Sequence, residues 1–142
     1  MKKISILLLM FLAACVFPQD PEHSFEEAQK NGLLVGVVEN PPYTSVSGKT
    51  FKGSEIDLLK KFAEKEHLQL KFKEGSESDL IEDLEKYKLH VIAGGFSKKS
   101  IWKKKAGLTA PYDKNHVFFI PKGENRLLER MEAFILEKNK TK

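Results

Sequence analysis

Apolar residues fall into short clusters of differing spacing, and each spacing predicts an element. Leu33-Leu34-Val35-Gly36-Val37-Val38 is a continuous run rich in β-branched residues, the pattern of a strand buried on both faces. Glu39-Asn40-Pro41-Pro42-Tyr43 follows, and its two prolines exclude both helix and central strand, so a loop leaves the strand's C-terminal end. From Glu55 to His67 the period becomes helical: Ile56, Leu59, Phe62 and Ala63 share one face, and Lys60, Lys61, Glu64 and Lys65 the other. Asp57, near that helix start, reads as a dipole partner. Leu68 to Phe72 alternates as a strand does. Ser76 to Leu89 predicts a second amphipathic helix with Leu80, Ile81 and Leu84 as its stripe and Ser76 or Ser78 as its cap. His90 to Ala93 predicts a third strand, ended by Gly94-Gly95, and Val117 to Ile120 a fourth. A turn at Pro121–Asn125 leads to a last helix with Leu127, Leu128, Met131, Phe134 and Ile135 inward. Strands alternating with helices argue for an α/β fold: a mostly parallel sheet of about four to five strands with helices on both faces.

The first residues follow another logic. Lys2 and Lys3 precede an apolar run from Ile4 to Leu12, then Ala13, Ala14 and Cys15. This is the order of a secretory signal, and the run is too short to span a bilayer. Leu12-Ala13-Ala14-Cys15 resembles a bacterial lipobox, in which the cysteine thiol is alkylated with diacylglycerol and the chain is cut just before it. Cys15 is the sole cysteine, so no intrachain disulfide can form, and a lone thiol in an oxidising compartment is otherwise a liability. The reading is a signal peptide over 1–14, a lipid on Cys15, and a tether over 15–32 with room for a short helical turn from Ser24 to Lys30. The protein is then exported and anchored to a membrane, facing the periplasm or the cell exterior.

Charge adds little. The formal net charge is +4, cleavage before Cys15 removes Lys2 and Lys3, and an exported protein rarely meets nucleic acid. His23, His67, His90 and His116 are scattered without metal-site spacing. Neither a nucleophile elbow, nor paired carboxylates, nor a glycine-rich phosphate loop stands out. No enzyme, cofactor or metal is expected.

The ordered set LLVGVVENPPYTS, FKGSEIDLLKKFAEK, LQLKF, SDLIEDLEKYKLHVIAGGFS and LTAPY resembles the first lobe of the family 3 solute-binding proteins of ABC transporters. Pro41, Pro42 and Tyr43 match the family's Pro-Pro-aromatic loop. Gly53, Asp57 and Leu58 match its helix-opening Gly-x-x-x-Asp-Leu. Ala93, Gly94 and Gly95 match the small residues ending its third strand, and Pro111-Tyr112 the approach to its hinge. VFFIPKGENRLLERMEAFI resembles the strand and helix that return to the first lobe. The resemblance implies binding of a small solute, with an ABC permease or another envelope protein as partner. Two departures matter. The second lobe would lie between Tyr112 and Val117, where only residues 113–116 stand; a lobe needs roughly 100 residues. Residues 33–142 therefore read as a single lobe: 33–112, a turn at 113–116, and 117–142 returning. The family's Thr-x-x-Arg element, whose arginine holds a ligand carboxylate as a bidentate pair, places Lys99 at the threonine position and Trp102 at the arginine position.

Ligands of such sheets sit beyond the strands' C-terminal ends. The candidate binding residues are accordingly Glu39, Tyr43, Phe96, Ser97 and Trp102. Tyr43 offers a stacking ring or is a half-buried loop aromatic. Trp102 is a stacking platform, a partner anchor, or the residue pinning a basic loop to the core. Lys98, Lys99, Lys103, Lys104 and Lys105 suit an anionic solute or anionic lipid headgroups, or are simply solvated. The alternative function is a single-lobe interaction module, or a degenerate remnant, docking to an envelope or membrane protein without small-ligand transport.

Overall fold

A computed structural model describes residues 20–142; Cys15 and the signal segment lie outside the described residues. In chain order the elements are α1 (Ser24–Asn31), β1 (Leu33–Val37), β2 (Ser45–Ser47), β3 (Thr50–Lys52), α2 (Ser54–Glu66), β4 (Leu70–Glu74), α3 (Glu77–Glu85), β5 (Val91–Ser97), a 3-10 turn (Ile101–Lys104), β6 (Gly107–Leu108), β7 (His116–Ile120) and α4 (Asn125–Lys140). The main sheet has the order β4-β1-β5-β7-β6. Both β4 and β5 run parallel to β1. Strand β7 lies antiparallel to β5 and to β6, so only β7 is reversed. Strands β2 and β3 form a separate hairpin.

The continuous apolar run of β1 is explained by burial on both faces. Leu33, Val35 and Val37 face one core with Phe25 of α1, Ile56, Leu59 and Phe62 of α2, and Leu127, Met131 and Ile135 of α4. Leu34 and Val38 face the second core with Leu80, Ile81 and Leu84 of α3, Ile92, Phe96 and Phe119. Helices thus cover both faces of the sheet, as an α/β lobe requires. Ser76 caps α3, its Oγ accepting from the Asp79 N–H at 3.2 Å. The helix ends at Glu85, short of the expected Leu89, because Tyr87 turns left-handed at φ 57°.

Two expectations are corrected. Residues 20–32 were expected as tether, yet α1 packs into the first core: Phe25 is 2% and Ala28 1% exposed. The buried Glu124 accepts from the Glu22 and Ser24 N–H groups at 2.9 and 2.7 Å, tying the segment to the start of α4. The second correction concerns β5, which does not stop at Gly94-Gly95 but runs through them to Ser97. Its pairing with β7 is irregular between Ile92 and Phe96, and Gly95 has φ 66°, the αL geometry that glycine permits in a bulge.

Candidate functional site

The bulge at Gly94-Gly95 frees two N–H groups from the ladder. Glu55 takes them. Its Oε2 accepts from Gly94 at 2.7 Å and Gly95 at 3.1 Å, and its Oε1 accepts the Tyr112 hydroxyl at 2.6 Å. The side chain is fully buried. Burial pushes this carboxyl up, while Tyr112, the two N–H groups and the nearby His116 pull it back without cancelling the rise. Tyr112 is pushed up in turn, by its own burial and by the facing carboxylate. First in α2's inward-facing row, Glu55 thus joins that helix to β5 and to the turn that replaces a lobe.

That turn is built by Asp113. Its Oδ1 accepts from the Asn115 and His116 N–H groups at 2.8 and 2.7 Å, and its Oδ2 lies 2.8 Å from His116 Nδ1. Burial alone would raise the Asp113 carboxyl, but these partners hold it below the usual carboxylate range. The His116 ring is 4.5 Å from that of Tyr43, centroid to centroid, and 6.1 Å from that of Tyr112. Tyr43 is fixed from beneath: a Cβ on Gly95 would lie 2.5 Å from its ring. Its loop is closed by Asn40, whose Nδ2 donates to the Gly94 carbonyl at 2.8 Å, and by the buried Thr44, whose hydroxyl donates to the Val38 carbonyl. Beside these rings opens a cavity of about 260 Å³, lined among others by Tyr43, Ser54, Tyr112, Asp113 and Lys138.

The predicted site residues are only partly brought together. Tyr43 lies at the cavity. Glu39 is exposed on the same loop, with a long 3.5 Å contact from the Val46 N–H. Ser97, at the end of β5, donates to Asn115 Oδ1 at 3.3 Å and accepts from the Lys99 N–H. The side chain of Phe96 is not available to a ligand there: it is 6% exposed and stacked on Phe119 at 4.4 Å, because the bulge turns it into the second core. Trp102 also faces that core, its indole N–H donating to Glu77 at 2.8 Å. It therefore pins the basic loop to α3. Sequence reasoning did not single out Glu55, Asp113 or His116. Glu55 carried a signal, standing four and seven residues before Leu59 and Phe62 on the buried face. No cluster of metal-ligating side chains occurs among the described residues.

The model of the bacterial extracellular solute-binding proteins, family 3, matches residues 33–142. The chain belongs to this family. No curated protein matches it. Among solved structures it is similar to an arginine-bound point mutant of domain 1 from the T. maritima protein TmArgBP, at 25% identity and TM-score 0.72, covering 82% of this chain and 95% of that one. A mutant of ArgBP from T. maritima gives 16% identity and TM-score 0.75 over 83% and 94%. The ancestral amino-acid-binding protein AncCDT-1, described as a precursor of cyclohexadienyl dehydratase, gives 12% and 0.72 over 87% and 94%. The last two likenesses speak for the fold alone. Family 3 members are extracytoplasmic binding proteins, and this one is a single lobe. No described helix is long and apolar enough to cross a membrane.

Proposed function

We propose that this lobe is the lipid-anchored solute-binding component of an ABC-type uptake system, held at the membrane through Cys15. It binds a small solute at the strand-end edge beside Tyr43. The supporting observation is the cavity itself: Tyr43 and Tyr112 line it, the buried Glu55 carboxylate fixes the Tyr112 hydroxyl, and His116, held by Asp113, packs against both rings. A pre-formed concave site with a few fixed polar groups is what small-ligand recognition needs. The relative most like it in identity among those described is an arginine-bound domain 1, so one lobe of this fold can hold a ligand in that relative. The carboxylate-holding arginine has no counterpart here. Arg126 and Arg130, the only arginines, lie on α4 over the Phe25 ring, 5.4 and 5.3 Å from its centroid. An amino-acid-like solute would therefore be held mainly by its side chain and by stacking, at modest affinity.

Thermal shift against an amino-acid and small-solute library, arginine included, tests this. A ligand raises the melting point in proportion to RT ln(1 + [L]/Kd), and Tyr43→Ala removes the shift while the protein stays folded. A folded wild-type protein that no solute stabilises overturns small-solute binding. Intact mass of the membrane-extracted protein tests the anchor separately.

A further inference from the structure

We infer that the lysine loop over 97–105, with the adjoining 121–123 turn, forms a surface that rests on an anionic phospholipid bilayer, Ile101 entering at headgroup depth. The orientation rests on the lipid anchor proposed for Cys15; the affinity of the surface for lipid does not. Ile101 is 80% exposed, the most exposed large hydrophobic side chain described. Its exposure is imposed by the loop. Ser100 caps the 3-10 turn through the Trp102 N–H, Trp102 takes the inward position bonded to Glu77, and Ala106 is buried behind it. Ile101 is left pointing outward between lysines. Lys98, Lys99, Lys103 and Lys104 are exposed, and among the described residues none has a carboxylate within ion-pair distance; Lys105 alone pairs, with Glu85 at 3.4 Å. An apolar tip ringed by unpaired cations complements a negatively charged bilayer surface.

Position supplies an independent argument. The Lys122 ammonium donates to the Lys104 carbonyl, and the next residue, Gly123, accepts from the Asp20 N–H at 3.0 Å. The chain therefore enters the fold beside the lysine loop. Cys15 is five residues before Asp20, a reach of at most about 17 Å. A lipid on Cys15 would hold Asp20, where the chain enters the fold beside Lys104 and Lys122, within that distance of the headgroups. The loop runs the length of β7: the Lys98 N–H donates to the Asn115 carbonyl beside His116 at 3.0 Å, and Gly107 pairs with Ile120 beside the 121–123 turn. A lone isoleucine lacks the aromatic cluster that anchors a protein partner, and flexible lysine point charges match headgroups without needing planar recognition.

The test is co-sedimentation of the mature chain, residues 15–142 kept unlipidated as Cys15→Ser, with vesicles of phosphatidylglycerol or of phosphatidylcholine. Binding to phosphatidylglycerol alone is expected, with release on raising salt from about 0.05 M to about 0.5 M. Joint Lys98→Gln, Lys99→Gln, Lys103→Gln and Lys104→Gln should lower partitioning about tenfold or more, and Ile101→Ser several-fold. Melting temperatures confirm that each variant is folded. Equal binding to both vesicles, no binding by folded protein, or unchanged partitioning of the lysine variant overturns the inference. None of these outcomes bears on the thermal-shift test of solute binding.

Discussion

At the residue scale, Glu55 decides the most. It is a buried acid whose acceptors serve two bulge N–H groups and one phenol. Glu55→Ala strands all three donors and leaves a void, so a loss of about 3–5 kcal/mol is expected in urea denaturation. Glu55→Gln keeps an acceptor and the volume, and should retain most of that stability. Its diagnostic is pH. Because the folded value lies above the ordinary 4.5, the native state holds this proton more tightly than the unfolded chain does. The stability linked to this proton is complete below about pH 4.5 and declines as pH rises through the folded value. His90 works oppositely. Burial lowers it, and its Nδ1 accepts the Leu34 N–H at 2.9 Å, so stability it supplies above about 6.5 falls as pH falls. Subtracting the Glu55→Gln curve from wild type isolates the first slope. A difference that stays flat as pH rises above about 4.5 refutes a shifted Glu55. This residue was only half legible in the sequence: helical spacing places it on the buried face, but its partners come from β5 and a distant turn that local patterning cannot locate.

At the scale of elements, long periodic segments were readable and short or strained ones were not. The runs of β1, β4, β5 and β7 and the stripes of α2, α3 and α4 follow from spacing, because burial on a known face leaves a period. The β2–β3 hairpin was missed: three residues to a strand and only partial burial leave too weak an alternation around Gly48. Strand β5 runs on to Ser97, an end the sequence leaves open because Gly94-Gly95 reads equally as terminator or bulge. Those two turns allow a matched comparison. Gly48 and Gly95 both have positive φ, 59° and 66°. Around a Cβ at Gly48 nothing lies within 4 Å, whereas at Gly95 the Tyr43 ring lies at 2.5 Å and Asn40 Nδ2 at 2.7 Å. Gly48→Ala should cost about 1 kcal/mol, the left-handed penalty alone. Gly95→Ala should cost about 2–4 kcal/mol and also displace Tyr43, so that thermal melts separate the two variants and only the second loses any solute-induced shift. Equal costs would show that Tyr43 is not fixed by that bulge.

At the scale of the whole molecule, the single lobe was legible because four residues cannot replace a domain, and the Asp113 turn shows how they suffice to reverse the chain. The site is less legible, since position in the chain places Phe96 and Trp102 at the strand end while the bulge and the α3 contact decide where their rings go. The N-terminal segment is hard to read for a different reason: Pro18, Pro21 and a polar composition mask two inward residues, Phe25 and Ala28, in one short helix. Phe25 lies between α1 and α4 under the Arg126 and Arg130 guanidinium groups, and Arg126 also pairs with Glu26. If this segment were only a tether, Phe25→Ala would change stability by less than about 0.5 kcal/mol. As a core residue 2% exposed, it should cost about 3–4 kcal/mol, with an unchanged denaturant slope because the domain still unfolds as one unit. A biphasic transition would instead make α1 a separable element. The difference matters for function. With α1 inside the fold, the anchor proposed at Cys15 would stand only five residues before the first described residue, Asp20, and a lobe held that close would meet the proposed membrane partner at a far higher effective concentration than one on a long leash.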